Sequence, residues 1–216
     1  MKAGAIFDMD GLMFDTERLY QENWQKIANE MGIVLPDHFA REICGTNGDM
    51  LRGIVKKYYH TEDPDSLFQR VVKGVEEMVK RQVPVKTGLF EILEFFRENG
   101  IKMAVASSSY PEVIRHNIKT SNTEHFFDAV VSGSLVGRGK PFPDVFLHAA
   151  EQLSLDPKDC YVFEDSINGV LAGLAAGCET IMIPDYAEPN ETILNSNAHI
   201  CASLLEALEQ IRKGEI

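Results

Sequence analysis

The chain has 216 residues, enough for a sizeable core in one or two domains. Its hydrophobic fraction of 44% and charged fraction of 25% are those of an ordinary soluble globular protein. A net charge of −12 argues against a nucleic-acid partner, whose affinity rests on Lys and Arg neutralising phosphates, but leaves small phosphorylated substrates open. No apolar run approaches the length of a membrane-spanning helix, and the N-terminal stretch MKAGAIFDMD is too short for a signal peptide and ends in acid. A cytoplasmic protein with no membrane partner is therefore expected, and a monomer by default. Cys44, Cys160, Cys178 and Cys201 form no CxxC pair, so reduced, mostly packed thiols are expected in place of a zinc or thioredoxin site.

In chain order, residues 3–7 (AGAIF) read as a short buried strand. A helical region follows. DTERLYQENWQKIANEMG has Asp15 or Thr16 as N-cap, an apolar stripe of Leu19, Trp24, Ile27, Ala28 and Met31, and Gly32 as its stop. PDHFAREIC, GDMLRGIVKKYY and DPDSLFQRVVKGVEEMVKRQV also read as helices, with no strand signal across 15–82. The texture then changes to alternation. TGLFEILEFFRENG is an amphipathic helix with Leu89, Ile92, Leu93 and Phe96 on one face. IKMAVASSS, DAVVSG, CYVFED and ETIMIP are short strands, and PEVIRHNIKTSN, PDVFLHAAEQLSL and SINGVLAGLAAG are the helices between them. A further helix leads to AHICAS, and LLEALEQIRKGE closes the chain. Strands alternating with helices of these lengths imply right-handed βαβ units. The expected fold is α/β: a Rossmann-like, doubly wound parallel sheet built from 1–14 and 83–216, with an all-helical insert at 15–82.

In such sheets, ligands bind at the carboxyl ends of the strands. The first strand ends at Asp8 and Asp10, IKMAVA at Ser107, Ser108 and Ser109, and YVFE at Glu164 and Asp165, while Lys140 follows DAVVSG in the run GRGKPFPD. Each position also has a structural alternative. Asp10–Gly11 is ordinary turn chemistry, Ser109 before Tyr110–Pro111 is a natural helix N-cap, Asp165 could cap the helix starting at Ser166, and Lys140 could be a solvated loop lysine. A functional reading explains all the positions together. Carboxylates from two strand ends make a hard, oxygen-rich site suited to Mg²⁺, and the metal offsets the repulsion between Asp8 and Asp10. Asp8, directly after the strand, is the candidate nucleophile toward phosphorus, and Asp10 the candidate acid and base. Ser107, Ser108, Gly11 and Lys140 would bind the transferring phosphoryl oxygens. Asp8, Asp10, Glu164 and Asp165 would form the magnesium shell.

FDMDGLMFDTE, ASSS, GKPFPD and FEDSINGVLAG, in that order, resemble the four motifs of the haloacid dehalogenase superfamily, in its β-phosphoglucomutase-like and phosphoglycolate phosphatase-like subgroup. The resemblance covers essentially the whole chain. It implies a Rossmann-like core, a mobile helical cap inserted after the first motif, Mg²⁺, and a small phosphorylated metabolite as substrate. Because the dehalogenases themselves lack the second aspartate of the first motif, Asp10 implies phosphoryl transfer. Phosphoglucomutase members usually carry an early cap arginine after a glycine, and tend to have a histidine in the first cap helix. Here CGTNGDMLR places Asn47 and Gly48 there, with Arg52 nearest, and Tyr20 stands near the histidine position. Both departures favour a phosphatase over the alternative, a mutase. Tyr20, Thr46 and Asn47 are the candidate substrate contacts from the cap, and Trp24 is expected in the cap core.

A receiver-like phospho-switch also gathers acids, a hydroxyl and a lysine on a doubly wound sheet. There the lysine comes last, whereas Lys140 precedes Glu164 and Asp165. A P-loop kinase is excluded by the absence of GxxxxGK[ST].

Overall fold

A computed structural model describes every residue except Gly45, Asn47 and Arg81. In chain order its elements are β1 (Gly4–Phe7), α1 (Thr16–Glu30), α2 (Phe39–Ile43), α3 (Gly48–Tyr59), α4 (Pro64–Val79), α5 (Leu89–Glu98), β2 (Lys102–Ser107), α6 (Pro111–Thr120), β3 (Ala129–Ser132), α7 (Asp144–Leu153), β4 (Cys160–Glu164), α8 (Ile167–Ala176), β5 (Glu179–Met182), α9 (Glu191–Leu194), β6 (His199–Ile200) and α10 (Leu204–Lys213). The chain divides into two compact units: Met1–Phe14 with Pro84–Ile216, and Asp15–Val83.

The first unit is a six-stranded sheet in the order β3-β2-β1-β4-β5-β6, with every pair parallel. This is the Rossmann-like α/β fold expected from the alternation of strands and helices. β1 lies near the middle and is buried along its whole length, which explains why GAIF is a continuous apolar run with no polar alternation. Successive side chains go to opposite faces. Ile6, Ala104, Ala106, Val131 and Val162 pack with Val145, Phe146, Ala149 and Ala150 of α7 and with Ala172 and Ala176 of α8. On the other face Phe7 stacks on Phe163 with ring centroids 4.7 Å apart, and Phe96 of α5 and Tyr161 complete that aromatic layer. Helices therefore cover both faces of the sheet. Cys160, Cys178 and Cys201 are buried free thiols, and Cys44 is a half-buried one.

The second unit is helical. Trp24 and Ile27 of α1 meet Phe39 and Ile43 of α2, Ile54, Val55 and Tyr59 of α3, and Leu67 and Val71 of α4 in one apolar cluster. Trp24 sits at its centre, 5.5 Å from the Tyr59 ring and 6.0 Å from Phe39, and the Tyr59 hydroxyl donates to the Trp24 carbonyl at 2.7 Å. The start of α4 follows from its sequence: Pro64 needs no helical N–H partner, and the Asp63 side chain accepts from the Ser66 N–H at 3.0 Å. Two details of α1 differ from the sequence reading. Asp15 occupies the N-cap position, but its carboxylate makes no cap bond and accepts from Arg18 at 2.9 Å. Met31, expected in the buried stripe, is 43% exposed, because α1 ends at Glu30 and Gly32 (φ +70°) turns the chain before the stripe completes another turn.

Trp24→Ala is expected to destabilise the helical unit by about 3–5 kcal/mol, the usual cost of emptying a large aromatic site. Urea unfolding followed by far-ultraviolet circular dichroism measures it, and a loss below about 1 kcal/mol would show that this cluster does not hold the four helices together.

Candidate active site

The sheet order reverses between β1 and β4, and the polar residues gather at that point. Asp8 is the first residue beyond β1, and its N–H continues the ladder by donating to the Phe163 carbonyl at 3.0 Å. The pairing of Phe7 with Phe163 sets Asp8 level with Glu164, the last residue of β4. Ser107 ends β2 on the other side. Lys140 enters from the segment between β3 and α7. Its ammonium donates to Asp8 Oδ1, to Glu164 Oε1 at 2.6 Å and to the Ala106 carbonyl at 3.2 Å, with the Phe146 ring centroid 4.9 Å away. The lysine is therefore not a solvated loop residue: only 7% of its side chain is exposed, against 9% for Asp8 and 1% for Glu164.

Glu164 is held from below. Its Oε2 accepts from the backbone N–H of Asp165, the N–H of Ser166 and the Ser166 hydroxyl, each at 2.9 Å. Its carboxylate fills the space that a Cβ on Gly169 would need, so glycine at 169 is a condition for its placement. Ser166 is the N-cap of α8, with its oxygen accepting from the Gly169 N–H at 3.1 Å. The sequence alternative that Asp165 caps this helix is thus displaced by the residue after it, leaving the Asp165 carboxylate for the cleft. There it lies against Gly11, whose φ of +84° and missing Cβ together admit it.

Asp8, Glu164 and Asp165 each present an oxygen within 4.8 Å of the others, a set that could hold one metal ion. Two buried carboxylates and the half-buried Asp165 face the Lys140 ammonium here, and the electrostatics record the imbalance. Burial, only partly opposed by Lys140, pushes the Asp8 carboxyl up from 3.8 to about 7. Burial followed by the charges of Glu164 and Asp165's other neighbour Asp8 raises Asp165 well above the carboxylate range. Burial alone would lower the Lys140 ammonium, but Asp8 and Glu164 outweigh it and hold the group protonated. A divalent cation is the charge that this donor set lacks, and all-oxygen ligands fit Mg²⁺.

The Asp10 side chain is not one of those three carboxylates. Its Oδ2 accepts from the Ser109 hydroxyl at 2.8 Å, which turns it toward β2. Ser109 in turn is not a helix cap: the N-cap of α6 is Tyr110, with no side-chain cap bond. The sequence offered no signal for the Ser109–Asp10 contact, because it joins residues 99 apart through the β1–β2 pairing. Ser107 is 1% exposed and its oxygen accepts from the Ser109 N–H at 3.0 Å, while Ser108 is exposed at the strand tip. In the helical unit, Tyr20 packs half-buried against the apolar cluster, and the Thr46 hydroxyl donates to the Ile43 carbonyl at 2.7 Å. Asn47 lies outside the described residues.

The haloacid dehalogenase-like hydrolase family matches residues 5–183. A phosphorylated carbohydrates phosphatase of Thermotoga maritima is 32% identical over 178 residues, covering 82% of each chain. Hexitol phosphatase B of Escherichia coli is 28% identical over 192 residues, covering 87% of this chain and 86% of its own. Among solved structures, a Thermotoga maritima protein provisionally designated a β-phosphoglucomutase superposes with a TM-score of 0.82 at 28% identity, covering 99% of both chains. The chain belongs to the haloacid dehalogenase-like hydrolase family, as one of its phosphatases.

The raised Asp8 pKa fixes a pH dependence for the metal-free protein. An acid whose folded pKa of about 7 exceeds its unfolded value near 3.8 holds extra protons in the native state between those limits. The contribution of Asp8 to stability therefore falls as pH rises from about 4 to 7 and is level above. Asp8→Asn removes that penalty, so in chelator the variant should be more stable than wild type at pH 8 by about 1–4 kcal/mol, with the gap closing toward pH 4. Thermal melts across pH measure this, and a gap that does not depend on pH would contradict it.

Proposed function

We propose that the protein hydrolyses a small phosphomonoester with Mg²⁺, passing the phosphoryl group through Asp8. The observation that carries this reading is the Asp8 carboxylate itself: fixed at the end of β1, bonded by Lys140 and clustered with Glu164 and Asp165. Asp8 attacks phosphorus as the bond to the leaving alkoxide breaks, and Asp10 gives its proton to the departing oxygen. Asp10, now ionised, takes a proton from the water that attacks the phosphorus of the aspartyl-phosphate. Inorganic phosphate leaves and the Asp8 carboxylate returns. Lys140 and Ser107, with Ser108 and the Gly11 backbone, bind the phosphoryl oxygens through the transfer. A divalent cation held by Asp8 and Asp165, with Glu164 beside them, would supply positive charge to those same oxygens.

The relatives named for phosphorylated carbohydrates and hexitols support a sugar or polyol phosphate as the substrate class. Mutase activity is the second reading, motivated by the β-phosphoglucomutase designation of one structural neighbour. It requires a cation for the substrate's second phosphate. Arg52, the nearest in sequence to the expected place, is already engaged: its Nε donates to both oxygens of Asp65 at 2.9 and 3.1 Å, and its guanidinium donates to Asp49 at 3.0 Å. That pairing supports hydrolysis over isomerisation.

Phosphate release from a panel of sugar phosphates, phosphoglycolate and nucleotides, beside a coupled assay for conversion of β-glucose 1-phosphate to glucose 6-phosphate, tests the reading. Release from sugar phosphates should vanish in chelator, return with Mg²⁺ and be lost by at least about 10³-fold in Asp8→Asn. Isomerisation with little free phosphate, or a folded Asp8→Asn variant near the wild-type rate, would overturn it.

A further inference from the structure

We infer that Ser109 is a positioning residue for Asp10, and that the three strands on one side of the sheet form a clamp that aims the Asp10 carboxylate. Ser109 is fixed at three points. Its N–H donates to Ser107 Oγ at 3.0 Å, its carbonyl accepts from the Ser132 hydroxyl at 2.6 Å, and its own hydroxyl donates to Asp10 Oδ2 at 2.8 Å. These contacts come from adjacent strands: Asp10 follows β1, Ser107 ends β2, and Ser132 ends β3, where it pairs with Ser107. Ser132 is 5% exposed and is itself tied to the Ser134 hydroxyl at 2.7 Å. Gly133 lets β3 approach closely, since a Cβ there would sit 3.3 Å from the Ser108 Cα and 3.4 Å from the Ser107 carbonyl.

The alternatives for the Ser109 hydroxyl are excluded by where it goes. It caps no helix, because α6 begins after Tyr110. It is not poised to donate to a phosphoryl oxygen, because its proton is already given to a carboxylate. A charged acceptor with one short, fixed donor loses orientational freedom about its side-chain torsions. Fixing a proton donor to about an ångström is worth roughly 100-fold in rate. The inference rests on the proposed role of Asp10 as acid and base.

That role gives a readout that a merely structural residue would not move. A sugar phosphate needs a proton on its leaving alkoxide, whereas p-nitrophenyl phosphate expels a stable phenolate without one. kcat/KM reports only steps up to the first irreversible one, here transfer to Asp8. Ser109→Ala should lower kcat/KM roughly 10- to 100-fold for the sugar phosphate turned over fastest in the panel above, and less than about threefold for p-nitrophenyl phosphate. Ser109→Thr should restore most of the loss. Ser132→Ala, which loosens Ser109 without touching Asp10, should show the same asymmetry at smaller size, and serves if Ser109→Ala does not fold. An equal loss for both esters, or no loss in either variant, would overturn the inference. If Asp10→Asn shows no asymmetry between the two esters, the acid–base reading of Asp10 fails, and the inference with it. If Asp10→Asn does show it and the serine variants do not, the inference alone fails.

Discussion

The site depends on one ammonium group placed between two buried carboxylates. Lys140 bonds Asp8 and Glu164 at once, at a depth where a single unpaired carboxylate would cost several kcal/mol. Without it, β1 and β4 could not both end in acid at the switch point of the sheet. With it, one negative charge is matched and the others are not. Under the proposed function, the excess at Asp8, Glu164 and Asp165 would receive a divalent cation and then a phosphoryl group, which brings its own negative oxygens. Backbone chemistry supports the arrangement throughout: Gly11 and Gly169 lack the Cβ atoms that would displace Asp165 and Glu164, and Ser166 holds Glu164 from two donors.

Much of this was legible in the sequence because it is local. The four strand-ending runs, the alternation after residue 83 and the helical stretch before it follow from periodicity and stop signals, and the parallel sheet follows from right-handed βαβ crossovers. Asp8, Ser107, Glu164 and Asp165 were nameable because each lies where a strand ends, and Lys140 because it lies in the run GRGKPFPD that follows one. What was not legible is how side chains divide the work once strands pair. The sequence shows four acids and cannot show that Asp10 turns to Ser109 while the other three face one point. Ser109 read as a helix cap because Ser-Tyr-Pro is good capping chemistry, and only the β1–β2 register brings Asp10 near enough to claim its hydroxyl. Asp165 read as a cap for a helix starting at Ser166, but the helix starts one residue later. The backbone decided for Ser166, whose N–H and hydroxyl also serve Glu164. Met31 fits the helical stripe by spacing, but the stripe outruns the helix.

The helical unit carries a different kind of information. Its core is a set of aromatic and branched residues around Trp24, with cap chemistry at Asp63–Pro64 that sets where α4 begins. Several of its charged residues are paired with one another: Arg52 with Asp49 and Asp65, Lys57 with Glu42, and Arg70 with Glu30. The candidate chemistry is thus concentrated at the strand ends of the sheet.

The most direct test of the account is the protonation change on metal binding. Mg²⁺ titrated into metal-free protein at pH 7, in buffers of different ionisation enthalpy, reports protons released as the cation forces Asp8 to ionise. The account predicts saturable binding with net proton release at pH 7 that declines toward pH 9. Binding without proton release, or no saturable binding at all, would contradict the claim that these buried carboxylates are built around a shared cation.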